Sequence, residues 1–128
     1  KTMMSYLFIS HDLNVVNYIS DRIVVMYAGK VVEYGTRDEI MKTARHPYTE
    51  ALLSSIPDTD PTYERVEIRL EGQLPDPGKK TEGCPFAGRC HKQLGEICHR
   101  VEPPKVSLSP THQVFCHRTF NAEKSASA

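Results

Sequence analysis

Four cysteines are the residues of this chain whose type and spacing suggest chemistry most directly. They occupy positions 84, 90, 98 and 116 in a C-x5-C-x7-C-x17-C pattern. The segment around them, residues 72–118, is rich in proline and has few long apolar runs, so it buries little core of its own and needs a cross-link. Four cysteines in such a segment predict a metal or iron–sulfur centre, or disulfides.

The spacing of the cysteines helps to distinguish these kinds of site. Structural zinc usually takes its thiolates from C-x2-4-C knuckles, and no two cysteines here are closer than C-x5-C. A four-Cys iron–sulfur cluster is wider and tolerates irregular spacing, so the pattern favours a cluster over zinc. Free thiols or disulfides in a purified, air-exposed chain stay open. A mixed Cys/His zinc site also stays open, because His91, His99 and His117 each follow a cysteine directly.

Charge and composition exclude several function classes. Sixteen basic residues balance sixteen acidic ones over 128 residues, so the chain has no basic field for nucleic acid, and a nucleic-acid partner is not expected. The charge is not balanced locally, because residues 79–118 hold seven Lys or Arg against three Glu. This surplus of positive charge is expected to lower the pKa values of the cysteine thiols and to favour metal binding. No segment reaches the ~18–20 apolar residues of a membrane-spanning helix, and no secretory leader pattern is present, which weakens the disulfide alternative.

The first third of the chain has the signals of an α/β fold that would position these residues. The nearly continuous apolar run 5–10 predicts a buried parallel strand, and apolar residues at helical spacing predict a helix over 13–20. Two strand-like runs at 22–27 and 31–34, joined through 28–30, predict an antiparallel hairpin.

Two short helices are expected next. Thr36 and Glu39 have the spacing of a capping box, in which each side chain satisfies a free backbone N–H at a helix start. A His-Pro pair then ends this helix and begins another over 47–56. Because no reaction is suggested by His46 and Tyr48, we interpret them as a helix cap and a core aromatic.

The rest of the chain has weaker signals. Pro57 is expected to end the helix over 47–56. Residues 58–81 then predict a connector that contains one edge strand at 66–70. An irregular Cys-rich region with little regular structure follows. The small polar tail, residues 121–128, is expected to be disordered.

Residues 5–36 contain the string ISHD and a hairpin of the form R-I-x-V-M-x-x-G-K-x-V-E-x-G. In these motifs the chain resembles the end of the nucleotide-binding domain of ABC-transporter ATPases. The resemblance implies that His11 contacts the γ-phosphate of Mg-ATP across a subunit interface. An imidazole N–H suits that role, since phosphoryl transfer depends mostly on positioning and charge stabilisation.

Two later motifs narrow the resemblance. His46-Pro-Tyr48 and the run from Gly83-Cys84 to Cys90 are similar to the C-terminal extension of oligopeptide/dipeptide-importer ATPase subunits, and the likeness spans residues 5–118. It implies peptide import at the cytoplasmic face of a prokaryotic membrane, together with a second ATPase subunit and membrane permeases. It also implies a [4Fe-4S] cluster bound by four ligands, Cys84, Cys90, Cys98 and Cys116.

The printed sequence lacks the family's phosphate-binding loop, signature motif and acidic metal-holding strand. We therefore expect a fragment that alone neither binds ATP tightly nor hydrolyses it. Its expected parts are residues 1–44 as the end of the nucleotide-binding domain, 45–120 as the transporter C-terminal region and 121–128 as the tail. An unpaired first strand predicts self-association of the fragment. The alternatives are a stand-alone Cys-rich metal or iron–sulfur module and a secreted disulfide module, and sister importers of nickel or sugars leave the substrate open.

Overall fold

A computed structural model describes residues 4–56, 62, 66–70, 72, 76, 78, 79 and 82–126. Within these residues the helices are α1 (Leu13–Ile19), α2 (Arg37–Thr43), α3 (Pro47–Ser54), α4 (Glu96–Arg100) and α5 (His117–Ala126). The strands are β1 (Arg22–Tyr27), β2 (Lys30–Thr36), β3 (Lys105–Ser107) and β4 (Gln113–Phe115), and a 3-10 turn spans Ala87–Arg89. None of the helices in this described part of the chain is long and apolar enough to cross a membrane.

The predicted β1–β2 hairpin is confirmed. Tyr27 pairs with Lys30, so the connection is the two-residue turn Ala28-Gly29 and is one residue shorter than expected. Both turn residues have positive φ, 51° and 80°, as a type I′ turn requires. This turn matches the right-handed twist of the strands that it joins.

Strands from both halves of the chain form one antiparallel sheet in the order β1-β2-β4-β3. β4 pairs with β2 through Glu33 with Val114 and Tyr34 with Gln113. The expectation of little regular structure in the Cys-rich region is therefore wrong for β3, β4 and α5. A three-residue strand such as β4 has too little local pattern to be read alone, because its hydrogen-bonding partner comes from β2. The predicted domain boundary between residues 44 and 45 would separate β1 and β2 from β3 and β4, although all four strands belong to one sheet.

The core lies on one face of the hairpin. Along β1 the side chains of Ile23, Val25 and Tyr27 are buried and the residues between them are exposed. Phe86, from the Cys-rich segment, is fully buried against this face, and its ring centroid lies 5.2 Å from that of Tyr27 and 5.1 Å from that of Tyr48. The Cys-rich segment therefore shares the core of the hairpin instead of standing beside it.

Each predicted helix start in the first half is confirmed, and the structure adds a cap at Asp12 that the sequence analysis did not predict. The Asp12 carboxylate accepts the Asn14 N–H at the start of α1. Thr36 and Glu39 form the predicted capping box of α2. α3 begins with His46 as its N-cap and a proline in its first turn, and it ends two residues earlier than predicted.

Glu39 also connects the α2 start to the far end of the chain. Besides the Thr36 N–H at 2.8 Å, its carboxylate accepts the hydroxyls of Ser109 at 2.8 Å and Thr111 at 2.7 Å. These hydrogen bonds, the largest contribution coming from the Thr36 backbone, lower the pKa of Glu39 to about 2. A β-carbon at Gly35 would lie 2.7 Å from this carboxylate, so the glycine leaves it room.

Other expectations differ from the structure. Residues 4–10 are exposed and have no regular structure, with Leu7 93% and Ile9 88% accessible. A buried parallel strand needs neighbours, and within the described residues no strand pairs with this run. Residues 66–70 are not a strand, and α5 continues to residue 126 where a disordered tail was expected. Pro57 and most of the connector 58–81 lie outside the described residues.

Candidate functional site

The four cysteines, separated by up to a quarter of the chain, line one small cavity that is partly open to solvent. Cys84 and Cys90 flank the 3-10 turn, Cys98 lies in α4, and Cys116 joins β4 to α5. Cys98 and Cys116 are buried and the other two are half-buried. The fold thus brings together the four residues that the sequence predicted as a ligand set.

Backbone contacts fix the loop of Cys84 against α4. The Cys84 N–H donates to the carbonyl of Cys98 at 2.7 Å. A β-carbon at Gly83 would lie 2.5 Å from the carbonyl carbon of His99, so only glycine allows this approach. On the other side, the Lys92 ammonium contacts the Glu50 carboxylate of α3 at 2.6 Å. Loop, α3 and α4 are therefore held together around the cavity.

Backbone N–H groups lie near three of the four sulfurs. The N–H groups of Phe86 and Lys92, each two residues after a cysteine, lower the thiol pKa of Cys84 and Cys90, although burial has the larger and opposite effect. The Leu94 N–H approaches the Cys98 sulfur at 3.4 Å. Such donors stabilise a thiolate, and hydrogen bonds to sulfur are among the features that tune metal–thiolate centres.

The electrostatics of the thiols differ from the expectation. Burial raises the pKa of Cys84 to about 11 and also raises the pKa of Cys90. The prediction that the surplus of Lys and Arg in this segment lowers these pKa values is wrong. The loss of hydration on burial raises the thiol pKa by more than the distant surface charges lower it. The nearby Arg118 does act in the predicted direction on Cys90, but as a minor contribution. In the absence of a bound cation, burial thus favours the neutral thiol at Cys84 and Cys90.

No three or more His, Cys, Asp or Glu side chains form a group that could hold a metal ion, in the part of the chain that the structure describes. The sulfurs share a cavity but are not gathered around one point. A tetrahedral zinc site needs four ligands within about 2.0–2.3 Å of a single ion. The arrangement is therefore not a preformed zinc site.

His46 lines the same cavity and is 1% exposed. Its Nδ1 accepts the Tyr48 N–H at 3.1 Å, as the interpretation of a helix cap required. Tyr48 packs edge-on to Tyr27 at 4.7 Å, which confirms its interpretation as a core aromatic. Burial lowers the pKa of His46 to about 4, so the ring is neutral at pH 7. Its Nε2 is buried and has no hydrogen-bond partner among the described residues.

Sequence reasoning did not find the buried carboxylate that fixes His46. Glu33 of β2 is fully buried and accepts the backbone N–H of Arg45 at 3.0 Å and of His46 at 2.9 Å. The Nε2 of His112 approaches the same carboxylate at 2.6 Å. The available signal was a charged residue inside the apolar strand β2, because such a residue is rarely buried without partners.

The histidines that follow cysteines have different surroundings. His91 and His99 are exposed, and His99 contacts the Gln93 side chain at 2.7 Å. His117 is buried, lines the cavity, and donates from Nε2 to the carbonyl of Val101 at 2.7 Å. Its Nδ1 therefore remains as a lone-pair donor, so His117 is the member of this trio suited to a mixed Cys/His site.

His11, the residue predicted to contact γ-phosphate, lies elsewhere. It is exposed, directly before the capping residue of α1, and is not among the residues that line the cysteine cavity. The two sets of predicted site residues are therefore separate in this fold.

Comparison with known proteins identifies the family. Residues 32–98, just over half of the chain, match the family model described as oligopeptide/dipeptide transporter, C-terminal region. The chain is 48% identical over 100 residues to the dipeptide transport ATP-binding protein DppF of Escherichia coli K12, an alignment that covers 78% of this chain and 30% of the relative. It is 45% identical over 116 residues to the oligopeptide transport ATP-binding protein OppF of Haemophilus influenzae, with 88% and 34% covered.

A third relative, the oligopeptide transport ATP-binding protein AppF of Bacillus subtilis, is 45% identical over 116 residues, covering 89% of this chain and 35% of its own length. The chain thus spans about a third of the length of these relatives. The matches support the prediction of a transporter ATPase fragment and give no support to the alternative of a stand-alone metal-binding module. The chain belongs to the family of oligopeptide and dipeptide ABC-transporter ATP-binding proteins, and it carries their C-terminal region.

Proposed function

We propose that this chain is the C-terminal part of an ATP-hydrolysing subunit that drives import of dipeptides or oligopeptides. The longer protein would work at the cytoplasmic face of a prokaryotic membrane with a second ATPase subunit and membrane permeases. The observation that carries this proposal is the family match over residues 32–98, together with relatives whose names are peptide transport ATP-binding proteins. The chain alone, without a phosphate-binding loop in its sequence, is not expected to hydrolyse ATP.

In the longer protein, His11 would contact the γ-phosphate of Mg-ATP. The position of His11 supports this role. The imidazole is exposed, follows the apolar run 4–10 and precedes the capped start of α1. In the longer protein the run 4–10 would pair as a strand and hold the ring at its end. The imidazole N–H would donate to a phosphate oxygen, where charge accumulates during phosphoryl transfer.

The test is His11→Ala in the full-length protein, compared with His99→Ala as an exposed control. Loss of one charge-stabilising donor lowers kcat for ATP hydrolysis roughly 10²–10³-fold with ATP binding retained. The control should keep the wild-type rate. A His11 variant that hydrolyses ATP at the wild-type rate would refute this role.

The four cysteines would hold a [4Fe-4S] cluster in the native protein. The residues fit such a group in chemistry: four sulfurs line one cavity, the Cys98 sulfur accepts the Leu94 N–H, and a buried ring N–H at His46 has no acceptor among the described residues. A wide cluster also agrees better than a single ion with sulfurs that do not gather around one point. When bound, a cluster would supply a cross-link between the 3-10 turn, α4 and the start of α5, and much of its binding energy would be folding energy.

Zinc is the second candidate, and one observation favours it. The Nε2 of His117 donates to a backbone carbonyl, as histidines that bind a metal through their other ring nitrogen usually do, and its ring lines the cavity. Metal analysis after anaerobic purification separates the two. A cluster gives iron and acid-labile sulfide near four per chain and a broad visible absorbance, whereas zinc gives about one colourless ion per chain.

Cys98→Ser is the matching variant, with Ile97→Ser, its exposed neighbour in α4, as control. Metal content should fall sharply in the first and remain in the second. If neither iron nor zinc is bound by the anaerobically purified chain, the ligand role of the cysteines is wrong.

A further inference from the structure

The Nε2 atom of His46 is a buried ring nitrogen that neither the capping role of this residue nor the cysteine ligands account for. We propose that its N–H donates a hydrogen bond to a sulfur atom of the group held by the four cysteines, which makes His46 a positioning and tuning residue of that centre. This inference rests on the proposed cluster. It assigns a chemical task to the histidine of the His-Pro-Tyr motif.

The hydrogen-bond pattern fixes which ring nitrogen carries the proton. The Tyr48 N–H donates to Nδ1 at 3.1 Å, so Nδ1 presents its lone pair. In a neutral imidazole the proton then resides on Nε2, which becomes a donor. A metal-ligand role for His46 is excluded by the same reasoning, because neither nitrogen offers a free lone pair.

The ring is also held in place from several sides. Its backbone N–H is bound by the Glu33 carboxylate at 2.9 Å, and Pro47 fixes the backbone that follows. The Phe86 ring packs against it with centroids 6.0 Å apart. Rotating the ring to find another partner would break the cap on Tyr48, so the donor stays in the cavity wall.

No acceptor among the described residues lies within hydrogen-bonding distance of Nε2, and the cavity that His46 lines contains sulfur. Nε2 has less than 1 Å² of accessible surface and no partner among the described residues. A buried donor is normally paired, and an unpaired one in a native structure calls for a specific explanation. The residues that share its cavity wall include all four cysteines. A thiolate or sulfide sulfur in that cavity is the acceptor that the donor lacks.

Such a hydrogen bond has a measurable consequence. Reduction adds negative charge to an iron–sulfur cluster, and a donor aimed at sulfur stabilises the more negative state. Loss of the donor should therefore make reduction harder. Two substitutions separate the two functions of the ring: Asn keeps an acceptor near the place of Nδ1 and is a good N-cap, whereas Gln reaches toward the place of Nε2 with an N–H donor.

The experiment uses the chain loaded anaerobically with ferrous iron and sulfide, and measures the midpoint potential by redox titration. His46→Asn should shift the reduction equilibrium about tenfold, which is about 59 mV toward more negative potential for one electron. His46→Gln should stay near the wild-type potential while lowering the unfolding midpoint through loss of the α3 cap. His99→Asn, at an exposed histidine beside Cys98, should change neither quantity.

Iron content distinguishes the two ways to fail. A wild-type chain that takes up no iron overturns the cluster proposal and this inference with it. An iron-loaded His46→Asn variant with the wild-type potential overturns only the role of His46. As a readout independent of redox chemistry, ¹⁵N NMR should show the Nε2-protonated tautomer in the wild-type chain, and an Nδ1-protonated ring would refute the assignment.

Discussion

Replacing Glu33 by alanine tests the buried contact that joins the two halves of the chain. The Glu33 carboxylate accepts three donors: the backbone N–H groups of Arg45 and His46 and the ring N–H of His112. It has no exposed surface, and the His112 side chain is 5% exposed. Alanine would leave all three donors buried without an acceptor, since water cannot replace the carboxylate without opening the core.

The expected loss of stability follows from these contacts. Each buried donor that is left without its acceptor costs about 1–3 kcal/mol, so the loss of one acceptor shared by three donors costs several kcal/mol. Each hydrogen bond to a charged group contributes about 1.5–3 kcal/mol, and the three are not additive because they share one acceptor. We therefore expect Glu33→Ala to lower the free energy of unfolding by about 3–5 kcal/mol, a large part of the roughly 5–15 kcal/mol of a typical domain. Glu33→Gln keeps one oxygen but turns an N–H₂ toward at least one donor, so we expect about 1.5–3 kcal/mol.

Urea denaturation followed by circular dichroism measures both variants. Glu96→Ala is the control, because the Glu96 side chain is 82% exposed and its contact with Arg100 is 3.9 Å long, so about 0.5 kcal/mol or less should be lost. The slope of the transition should be unchanged, which shows that stability and not compactness was altered. If Glu33→Ala unfolds at the same urea concentration as the control, the carboxylate does not hold the halves together and the reasoning fails.

Three further experiments test separate parts of the fold. Gly83→Ala forces a methyl group into the backbone of α4 and should cost about 1–3 kcal/mol, whereas Gly88→Ala, with nothing within 4 Å, should leave the urea midpoint nearly unchanged; equal midpoints would contradict the close approach. Because hydrogen bonds lower the pKa of Glu39 from 4.5 to about 2 in the folded chain, its stabilising contribution is complete above pH 4.5 and is lost as the pH falls to 2. The stability difference between wild type and Glu39→Gln should therefore shrink over that range, and a constant difference would be against the pKa shift. Leu7→Lys with Ile9→Lys should reduce self-association measured by light scattering at equal concentration, since both side chains are exposed and apolar; unchanged scattering would remove this run from the contact.

The sequence alone was sufficient where the signal and the structure it causes are only a few residues apart. The capping box of Thr36 and Glu39 depends on hydrogen bonds within four residues, and the β1–β2 hairpin depends on a short turn that contains glycine, although this turn is one residue shorter than predicted. The family also followed from such local strings, together with the interpretation of His46 as a helix cap. The spacing of the cysteines indicated a ligand set, but it did not show how the chain gathers them.

Tertiary structure decided everything that depends on partners distant along the chain. β4 is a strand because β2 supplies its hydrogen bonds, and Phe86 is core because the hairpin presents a buried face to it. The apolar run 4–10 has every local property of a strand, yet it lies exposed, because pairing is a property of two segments and not of one. The thiol pKa values rose because burial, which no charge count contains, outweighs the basic surplus. The unpaired nitrogen of His46 has the same origin, since only the folded chain buries that ring in the wall of the cysteine cavity.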